Sequence, residues 1–401
     1  MNTDTTVLIS GAGIAGPSLA YWLARRGFTV TVVEQAPRLR DSGGAVDFRG
    51  VQLDVLRRMG ILETVRAAET AMGAEVVIDA EGRPLVELPS EFFSGEVEIE
   101  RGDLARILYD LTRDDVEYVF GDTVTSLTEA ADGVDVTFGR GAPRRFGLVV
   151  GADGMHSVVR RLAFGDEADH RRDMGYCYAG FTGPNHLGLD HSGVIYNVPG
   201  RGVLVSSSRD TSRAGVGLVF AAPGLEYDRH DREQQKRIVA EAFAGAGWRT
   251  PELIALLEQA DDLYFDTLSQ IHLDSWSRGR TVLLGDAAWC AGPGGSGTGL
   301  AMIGAYILAG ELALASGDFR TAFARYEEQV RPGARTGQKQ AKGAGPFLAP
   351  PTAARIRRRN RVYRMLSSRL GAGLFRRMAA GAANAVPVKD YPEPVALAGR
   401  S

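Results

Sequence analysis

The sequence predicts an α/β protein in which a parallel sheet flanked by helices is interrupted by a second, mostly antiparallel sheet. Near the N-terminus, an apolar β-branched run, a glycine-rich turn, a helical pattern and a second apolar run follow one another, which is the order of a strand–helix–strand unit. Two further apolar runs enter glycine-containing turns at 146–151 and 280–285. Between these runs, segments such as 194–198 and 202–208 alternate apolar and polar residues, as half-buried antiparallel strands do.

The composition excludes several classes of protein. The chain has 401 residues, with 46 Lys and Arg against 49 Asp and Glu, and hence a formal net charge of −3. A nucleic-acid-binding protein needs a basic surplus for its phosphate contacts, so no nucleic-acid partner is expected. The only two cysteines, Cys177 and Cys290, form no CxxC pair, which excludes a disulfide scaffold and indicates a reducing, cytoplasmic location. The six histidines lack metal-ligand spacing, so no metal site is expected.

The sequence contains no segment that we expect to enter a membrane. Its longest apolar stretch, residues 300–314, is interrupted by Gly304, Gly310 and Glu311, which argues against a spanning helix. The N-terminus lacks the basic region of a signal peptide. We therefore expect a cytoplasmic monomer or homodimer.

The N-terminal unit carries the first functional motif. Its glycine turn consists of Gly11, Ala12, Gly13, Ile14, Ala15 and Gly16. Gly11 allows the tight turn, Gly13 lets the backbone approach a pyrophosphate, and Gly16 lets helix and strand pack closely. Glu34 follows the second strand, where its carboxylate can accept hydrogen bonds from ribose hydroxyls. The motif predicts a Rossmann-type dinucleotide site, and the alternative is an ordinary strand–helix–strand unit whose glycines only pack.

Two later blocks decide which dinucleotide is expected. The first runs from Gly151 through Asp153 to Arg160, and the second runs from Gly285 through a proline- and glycine-rich turn to Gly299. Together with the first motif, they resemble the class A FAD-dependent monooxygenases, which share the p-hydroxybenzoate hydroxylase fold. Within that family the sequence is most similar to enzymes that tailor polyketides or inactivate polycyclic antibiotics such as tetracycline.

The resemblance implies FAD as the cofactor and assigns roles to individual residues. Glu34 would hold the adenosine ribose, Arg101 would lie along the pyrophosphate or ribityl chain, and Asp286 would accept a ribityl hydroxyl. Asp153 would help to hold FAD and would face a bound nicotinamide cofactor. The turn that offers backbone N–H groups to the pyrimidine edge of the flavin would include Pro293, Gly297, Thr298 and Gly299. Two alternatives stay open: a salt bridge from Arg101 to Glu100 or Asp103, and a helix-capping role for Asp153.

The same resemblance suggests the division into domains. The FAD-binding domain is expected to comprise residues 1–73, 98–170 and 275–330, and the inserted substrate domain residues 74–97 and 171–274. Met174, Tyr196 and Phe220 are predicted to line the substrate pocket, with plain core packing as the alternative.

The C-terminal part of the chain is predicted to be a loop followed by a helix. Residues 333–351 are rich in Gly and Pro, and residues 352–385 have an apolar stripe on a basic helix. This helix is expected to bridge the two domains, and the alternative is that it lies on a membrane surface.

The function that the resemblance implies is a hydroxylation. NADPH or NADH would reduce FAD, O2 would add at C4a of the flavin to give a hydroperoxide, and one oxygen atom would pass to an aromatic or polyketide-like small molecule. The sequence identifies no catalytic residue. Two other functions remain open: an FAD-dependent reductase or dehydrogenase on the same fold, and an FAD- or ligand-binding protein without turnover.

Overall fold

The computed structural model of the chain describes residues 5–40, 43–88, 90, 95–294, 297–367 and 386–392. Its strands are β1 Thr6–Ser10, β2 Thr29–Glu34, β3 Ala45–Phe48, β4 Glu75–Ile78, β5 Pro84–Leu88, β6 Val97–Glu100, β7 Glu117–Phe120, β8 Val124–Glu129, β9 Val134–Phe138, β10 Arg144–Phe146, β11 Leu148–Gly151, β12 Arg171–Pro184, β13 Ser192–Val198, β14 Arg201–Ser207, β15 Arg213–Ala221, β16 Tyr264–Ile271, β17 Ser277–Arg278 and β18 Thr281–Leu283. Its helices are α1 Ala15–Ala24, α2 Val51–Arg58, α3 Leu62–Ala67, α4 Arg101–Asp110, α5 Val158–Phe164, α6 Glu167–His170, α7 Arg232–Ala242, α8 Thr250–Gln259, α9 Asp286–Trp289, α10 Gly297–Leu314, α11 Phe319–Ala341, α12 Ala344–Leu348 and α13 Ala353–Leu366.

The first of the two large sheets has six strands, in the order β17-β18-β11-β1-β2-β7. All neighbouring strands in it are parallel except β17 and β18. Val7, Leu8 and Ile9 of β1 are fully buried, as expected for a central strand covered on both faces. The predicted strand–helix–strand unit is confirmed as β1, α1 and β2.

The strand order fixes where a ligand can bind to this sheet. From β1 the chain continues to β2 on one side, whereas β11 and then β18 lie on the other side. The crevice at such a reversal, beyond the carboxyl ends of the strands, is the usual ligand site of open α/β sheets. The glycine turn follows β1, Asp153 follows β11 and Asp286 follows β18, so the topology brings all three motifs to one edge.

The second sheet has seven strands in the order β16-β12-β15-β14-β13-β4-β5. All its neighbouring pairs are antiparallel except β13 with β4. One face packs against α7 and α8 through a buried apolar cluster that includes Val239, Phe243 and Leu257. The other face is contacted by α12 and α13. The expected α/β fold with a mostly antiparallel second sheet is therefore confirmed.

The C-terminal segment contacts both sheet systems. Tyr363 of α13 is buried with Val77, Val86 and Ile195 of the seven-stranded sheet. Farther along the chain, the Tyr391 ring packs where any side chain at Gly310 of α10 would lie. The expected helix thus begins as predicted, and its described part ends at residue 366. Its remaining residues, 368–385, lie outside the described residues.

The expectation of a loop over residues 333–351 is wrong, because α11 continues to Ala341 with Pro332 inside it and α12 follows. The buried residues Val330, Ala334 and Gln338 recur at helical spacing, so packing against α10 outweighs the local preference of proline and glycine for a break. Helix α10 is itself long and apolar enough to cross a membrane by length and composition alone. It is 78% buried inside the protein, which is the behaviour of a core helix.

Candidate active site

The glycine turn after β1 combines two glycines that the fold requires with one that leaves space open. Gly11 has a φ of +108°, and a Cβ there would lie 2.5 Å from the carbonyl oxygen of Ala152. A Cβ at Gly16 would overlap the carbonyl oxygen of Gly11. At Gly13, by contrast, no atom lies within 4 Å of the Cβ position.

The start of α1 also fits a bound phosphate. No side chain caps this helix, so N–H groups of its first turn are available to an anion, and the positive end of the helix dipole points the same way. The open space at Gly13 and the uncapped helix together fit the pyrophosphate of a dinucleotide.

Glu34 lies at the end of β2 and reaches back to the glycine turn. Its Oε2 accepts a hydrogen bond from the Ala12 N–H at 2.8 Å, and its Oε1 accepts one from the Ala36 N–H at 2.9 Å. Each carboxylate oxygen keeps acceptor capacity for a ribose hydroxyl. Glu34 therefore shapes the turn in addition to the ligand-binding role that was predicted for it.

Asp153 supports the start of α5, whose N-cap residue is Ser157. Its carboxylate accepts hydrogen bonds from the Val158 N–H at 2.8 Å, from the Ser157 hydroxyl and from the Ser10 hydroxyl at 3.2 Å. Burial raises the pKa of this carboxyl above its usual range. These contacts support the alternative in which Asp153 stabilises the start of the helix. A direct contact of Asp153 with a cofactor stays a prediction.

Arg101 is the first residue of α4 and Asp286 the first residue of α9, and the charge of Arg101 acts on the Asp286 carboxyl. Among the described residues, no hydrogen bond or ion pair engages the Arg101 side chain. Its two expected partners bind elsewhere, since Asp103 pairs with Arg209 and Glu100 accepts from the Ser208 hydroxyl. The salt-bridge alternative for Arg101 is thus not what the structure shows. Burial raises the pKa of the Asp286 carboxyl, and the charge of Arg101 opposes that rise.

The turn between α9 and α10 borders Asp286. Gly292 and Gly294 have φ values of +84° and +76°, which favour glycine. A Cβ at Gly297 would lie 3.5 Å from Oδ1 of Asp286, and one at Gly299 would overlap the Gln52 amide. Pro293 is half-buried in this turn and Thr298 is half-buried in the first turn of α10, whereas residues 295 and 296 lie outside the described part of the chain. Which N–H groups of this turn contact a flavin stays a prediction.

The expected substrate-lining roles of Tyr196 and Phe220 need correction. Both side chains are 4% exposed and belong to the cluster on the helix-covered face of the seven-stranded sheet. Phe220 packs edge-to-face on Phe243, with 5.9 Å between ring centroids, and Tyr196 lies 5.8 Å from Trp248. They are core residues, because the strand alternation turns them toward α7 and α8 and away from the opposite face.

Met174 has a different position from the other two. It lies against the glycine turn, since a Cβ at Gly292 would be 2.9 Å from its Sδ. It also lines a cavity of about 500 Å³ together with Gln270 and His272. Its predicted role in substrate binding stays a prediction.

The opposite face of the sheet presents residues that the sequence did not single out. The Tyr178 ring lies over two glycines, since Cβ atoms at Gly180 and Gly217 would be 2.9 and 3.2 Å from it. Tyr264 lies 6.1 Å from Tyr178 and is 54% exposed, yet burial of its hydroxyl and nearby carboxylates raise its pKa. That combination is typical of a side chain in an open cleft. The signal that could have found this face is the period-two series Tyr176, Tyr178 and Gly180 on β12.

A polar network that the sequence did not indicate links the end of β11 in the six-stranded sheet to β16 in the seven-stranded sheet. His156, which follows β11, contacts Asp266 of β16 through Nε2 at 2.8 Å and Glu167 of α6 through Nδ1 at 2.9 Å. The buried Arg160 donates to Glu167 at 2.8 Å and to the Ala287 carbonyl at 3.0 Å. Burial lowers the pKa of His156, but the two carboxylates outweigh it, and the pKa is raised overall. No sequence spacing signals this network, because its members lie on distant elements.

The comparisons with known proteins agree with this geometry. Residues 4–336 match the family model described as the FAD binding domain. The chain is 41% identical over 331 residues to an uncharacterised protein of Mycobacterium tuberculosis, covering 81% of this chain and 89% of that protein. It is 36% identical over 336 residues to a flavin-dependent monooxygenase of Legionella longbeachae, covering 82% and 86%.

A solved structure is similar along nearly the whole chain. The crystal structure of tetracycline destructase Tet(51) matches with a TM-score of 0.84 and 33% identity, over 96% of this chain and 100% of that one. The similarity therefore includes both sheet systems. The chain belongs to the FAD-binding monooxygenase family and is an FAD-dependent monooxygenase.

Proposed function

We propose that this monooxygenase uses NADPH or NADH together with O2 to hydroxylate a flat aromatic or polyketide-like small molecule. The observation that carries the proposal is the face of the seven-stranded sheet opposite α7 and α8, where Tyr178 lies over Gly180 and Gly217 and Tyr264 is accessible. Aromatic rings over glycines form a flat, apolar surface, which suits a planar ring system better than a flexible chain. The name of the similar tetracycline destructase supports a polycyclic substrate.

The residues at the carboxyl edge of the parallel sheet would hold FAD. The open space at Gly13 and the uncapped start of α1 would receive the pyrophosphate, and Glu34 would accept hydrogen bonds from the adenosine ribose. Arg101 and Asp286 would contact the chain between pyrophosphate and flavin. Bound FAD supplies the redox chemistry, which the amino-acid side chains cannot provide.

The protein would contribute position and shielding from water. The charges of Arg101 and Asp286 act on the Tyr264 hydroxyl, which supports placing the accessible sheet face beside the residues assigned to FAD. A ring bound on that face would therefore be close to the cofactor, in a cleft from which bulk water is largely displaced.

The proposal is tested by screening flat ring compounds for stimulation of NADPH and NADH oxidation by the FAD-loaded protein. Mass spectrometry of the product then reports whether oxygen was added. We expect stimulated oxidation and a hydroxylated product. A product formed equally well without O2 would identify a reductase instead, and binding without turnover across the screen would favour a ligand-binding protein.

A further inference from the structure

A row of small residues crosses the face of the seven-stranded sheet opposite α7 and α8 and ends at a carboxyl group. The row contains register neighbours on five adjacent strands: Glu75 on β4, Gly193 on β13, Ser206 on β14, Gly215 on β15 and Thr182 on β12. Register neighbours project from the same face of a sheet. With a strand spacing of about 4.8 Å, four spacings give this row a length of about 19 Å.

The middle of the row is open to a ligand. Gly215 is exposed, and Ser206 is half-buried. No atom lies closer than 3.9 Å to the Cβ position of Gly215. A flat ring could therefore lie over Gly215 beside Ser206, in the middle of the row.

Glu75 closes one end of the row with an unpaired oxygen. Its side chain leans over Gly193, where a Cβ would lie 3.2 Å from Cγ of Glu75. Its Oε2 is buried and has no hydrogen-bond partner. A buried acceptor without a donor is unusual in a folded protein and calls for an explanation such as an absent ligand.

Two titratable groups, one on β6 and one on α13, lie close enough to Glu75 to interact with its carboxyl electrostatically. Glu98 of β6 lies nearby and adds to burial in raising the pKa of Glu75 to about 7. From α13, Tyr363 interacts electrostatically with Glu75.

We propose that Glu75 is a catalytic residue that binds a ring hydroxyl of the substrate and accepts its proton. In this step the O–H bond of a phenol or enol breaks, its electron pair stays on the substrate oxygen, and the proton bonds to Oε2 of Glu75. The ring becomes more electron-rich, which favours attack on an electrophilic oxygen atom. This inference rests on the proposed hydroxylation and adds the substrate group that the site recognises.

The chemistry of Glu75 matches this task. A hydroxyl is a neutral donor that satisfies the buried Oε2 without placing a charge beside Glu98. A general base works best when its pKa is close to the operating pH, and a value of about 7 meets that condition. A carboxylate with an ordinary pKa would be a weaker base than Glu75 and would accept the proton of the ring hydroxyl less readily.

The test measures ligand binding by the FAD-loaded protein as a function of pH. The probe is 2-naphthol, a flat phenol that stays neutral between about pH 6 and pH 8, and its fluorescence reports binding. The ionised fraction of Glu75 rises from about one in eleven to about ten in eleven over this range when its pKa is about 7, so we expect roughly tenfold tighter binding at the higher pH. The methyl ether, 2-methoxynaphthalene, has no O–H to donate and should bind without this pH dependence.

Two variants assign the effect to Glu75. E75Q should bind 2-naphthol with an affinity that does not change over the same pH range, whereas E87Q, a change at an exposed carboxyl on β5, should behave like the wild type. Turnover of any hydroxylated ring found in the screen should fall by roughly 10²- to 10⁴-fold in E75Q. The control E87Q should keep the wild-type turnover of that ring compound, because the Glu87 carboxyl is exposed on β5.

Three results would overturn the inference: no binding of 2-naphthol by the wild type, the same pH dependence in E75Q as in the wild type, or unchanged turnover in E75Q. Failure of the proposed function would have a different signature. The wild type would then lack FAD, or would not oxidise NADPH or NADH with any compound in the screen.

Discussion

Replacing Glu34 separates its contact with FAD from its contact with the glycine turn. Glu34→Ala removes both carboxylate oxygens, which accept the Ala12 N–H at 2.8 Å and the Ala36 N–H at 2.9 Å. Glu34→Gln keeps one carbonyl oxygen but removes the negative charge. Glu34→Gln should therefore support the turn better than Glu34→Ala, whereas both variants should bind the ribose poorly.

The magnitudes follow from these contacts. Hydrogen bonds to a charged group contribute about 1.5–3 kcal/mol, and about 1.4 kcal/mol corresponds to a factor of ten. Loss of the ribose contact should therefore raise the FAD dissociation constant roughly ten- to a hundred-fold in both variants. Because the Ala12 N–H is buried, its loss of an acceptor should also destabilise the Glu34→Ala apoprotein by about 1–3 kcal/mol, with a smaller loss for Glu34→Gln.

Calorimetric titration of the apoprotein with FAD measures the affinity, and urea denaturation without FAD measures the stability. FAD affinity that stays at the wild-type value in both variants would refute the assignment of this edge to the adenosine ribose. Equal destabilisation of the two apoproteins would refute the role of Glu34 in shaping the turn.

Substitutions in the glycine turn, at His156 and at Tyr391 test other parts of the structure. Gly13→Ala should weaken FAD binding and leave the stability of the apoprotein nearly unchanged. Gly11→Ala should destabilise the apoprotein, since its Cβ would lie 2.5 Å from a backbone oxygen. Titration with FAD and thermal melting of both variants distinguish the two effects. The pKa of His156 is raised in the folded protein, so protonated His156 contributes fully to the free energy of unfolding below its unfolded pKa of about 6.5. This contribution is lost as the pH rises through the folded pKa. His156→Gln should therefore flatten the decline of the urea midpoint with pH, and an unchanged decline would contradict the role of His156. Tyr391→Ala should cost about 3–5 kcal/mol by emptying the space over Gly310. In the same measurement Tyr391→Phe, which loses the hydrogen bonds from its hydroxyl to Glu311 at 2.7 Å and to Gln329 at 3.4 Å, should cost less, about 1.5–3 kcal/mol.

The parts of the fold that were predicted correctly are those that local spacing determines. The turn from Gly11 to Gly16 and the position of Glu34 depend on a strand, a tight turn and a helix that are contiguous in the chain. Such a unit can be read from period and glycine placement, because each residue is constrained by its near neighbours. The same holds for Asp286, which directly follows a short apolar strand.

The errors concern choices that only tertiary packing decides. A strand alternates between two faces, but its sequence does not say which face α7 and α8 cover, and Tyr196 therefore lies in the core while Ile195 lies on the other side. The helix that continues through Pro332 shows the same effect, since packing on α10 outweighs the local signal. Glu75 could not be recognised for a further reason. Its unusual environment is created by Glu98 and by burial, which no sequence spacing reveals.

The central claim, that this chain transfers oxygen from O2 to a ring compound, is tested most directly by isotope labelling. A compound that stimulates NADPH or NADH oxidation is turned over under ¹⁸O₂ in ordinary water, and the product is analysed by mass spectrometry. We predict that each hydroxyl group added carries one labelled oxygen atom. A product that lacks the label, or that takes its oxygen from water, would contradict the claim.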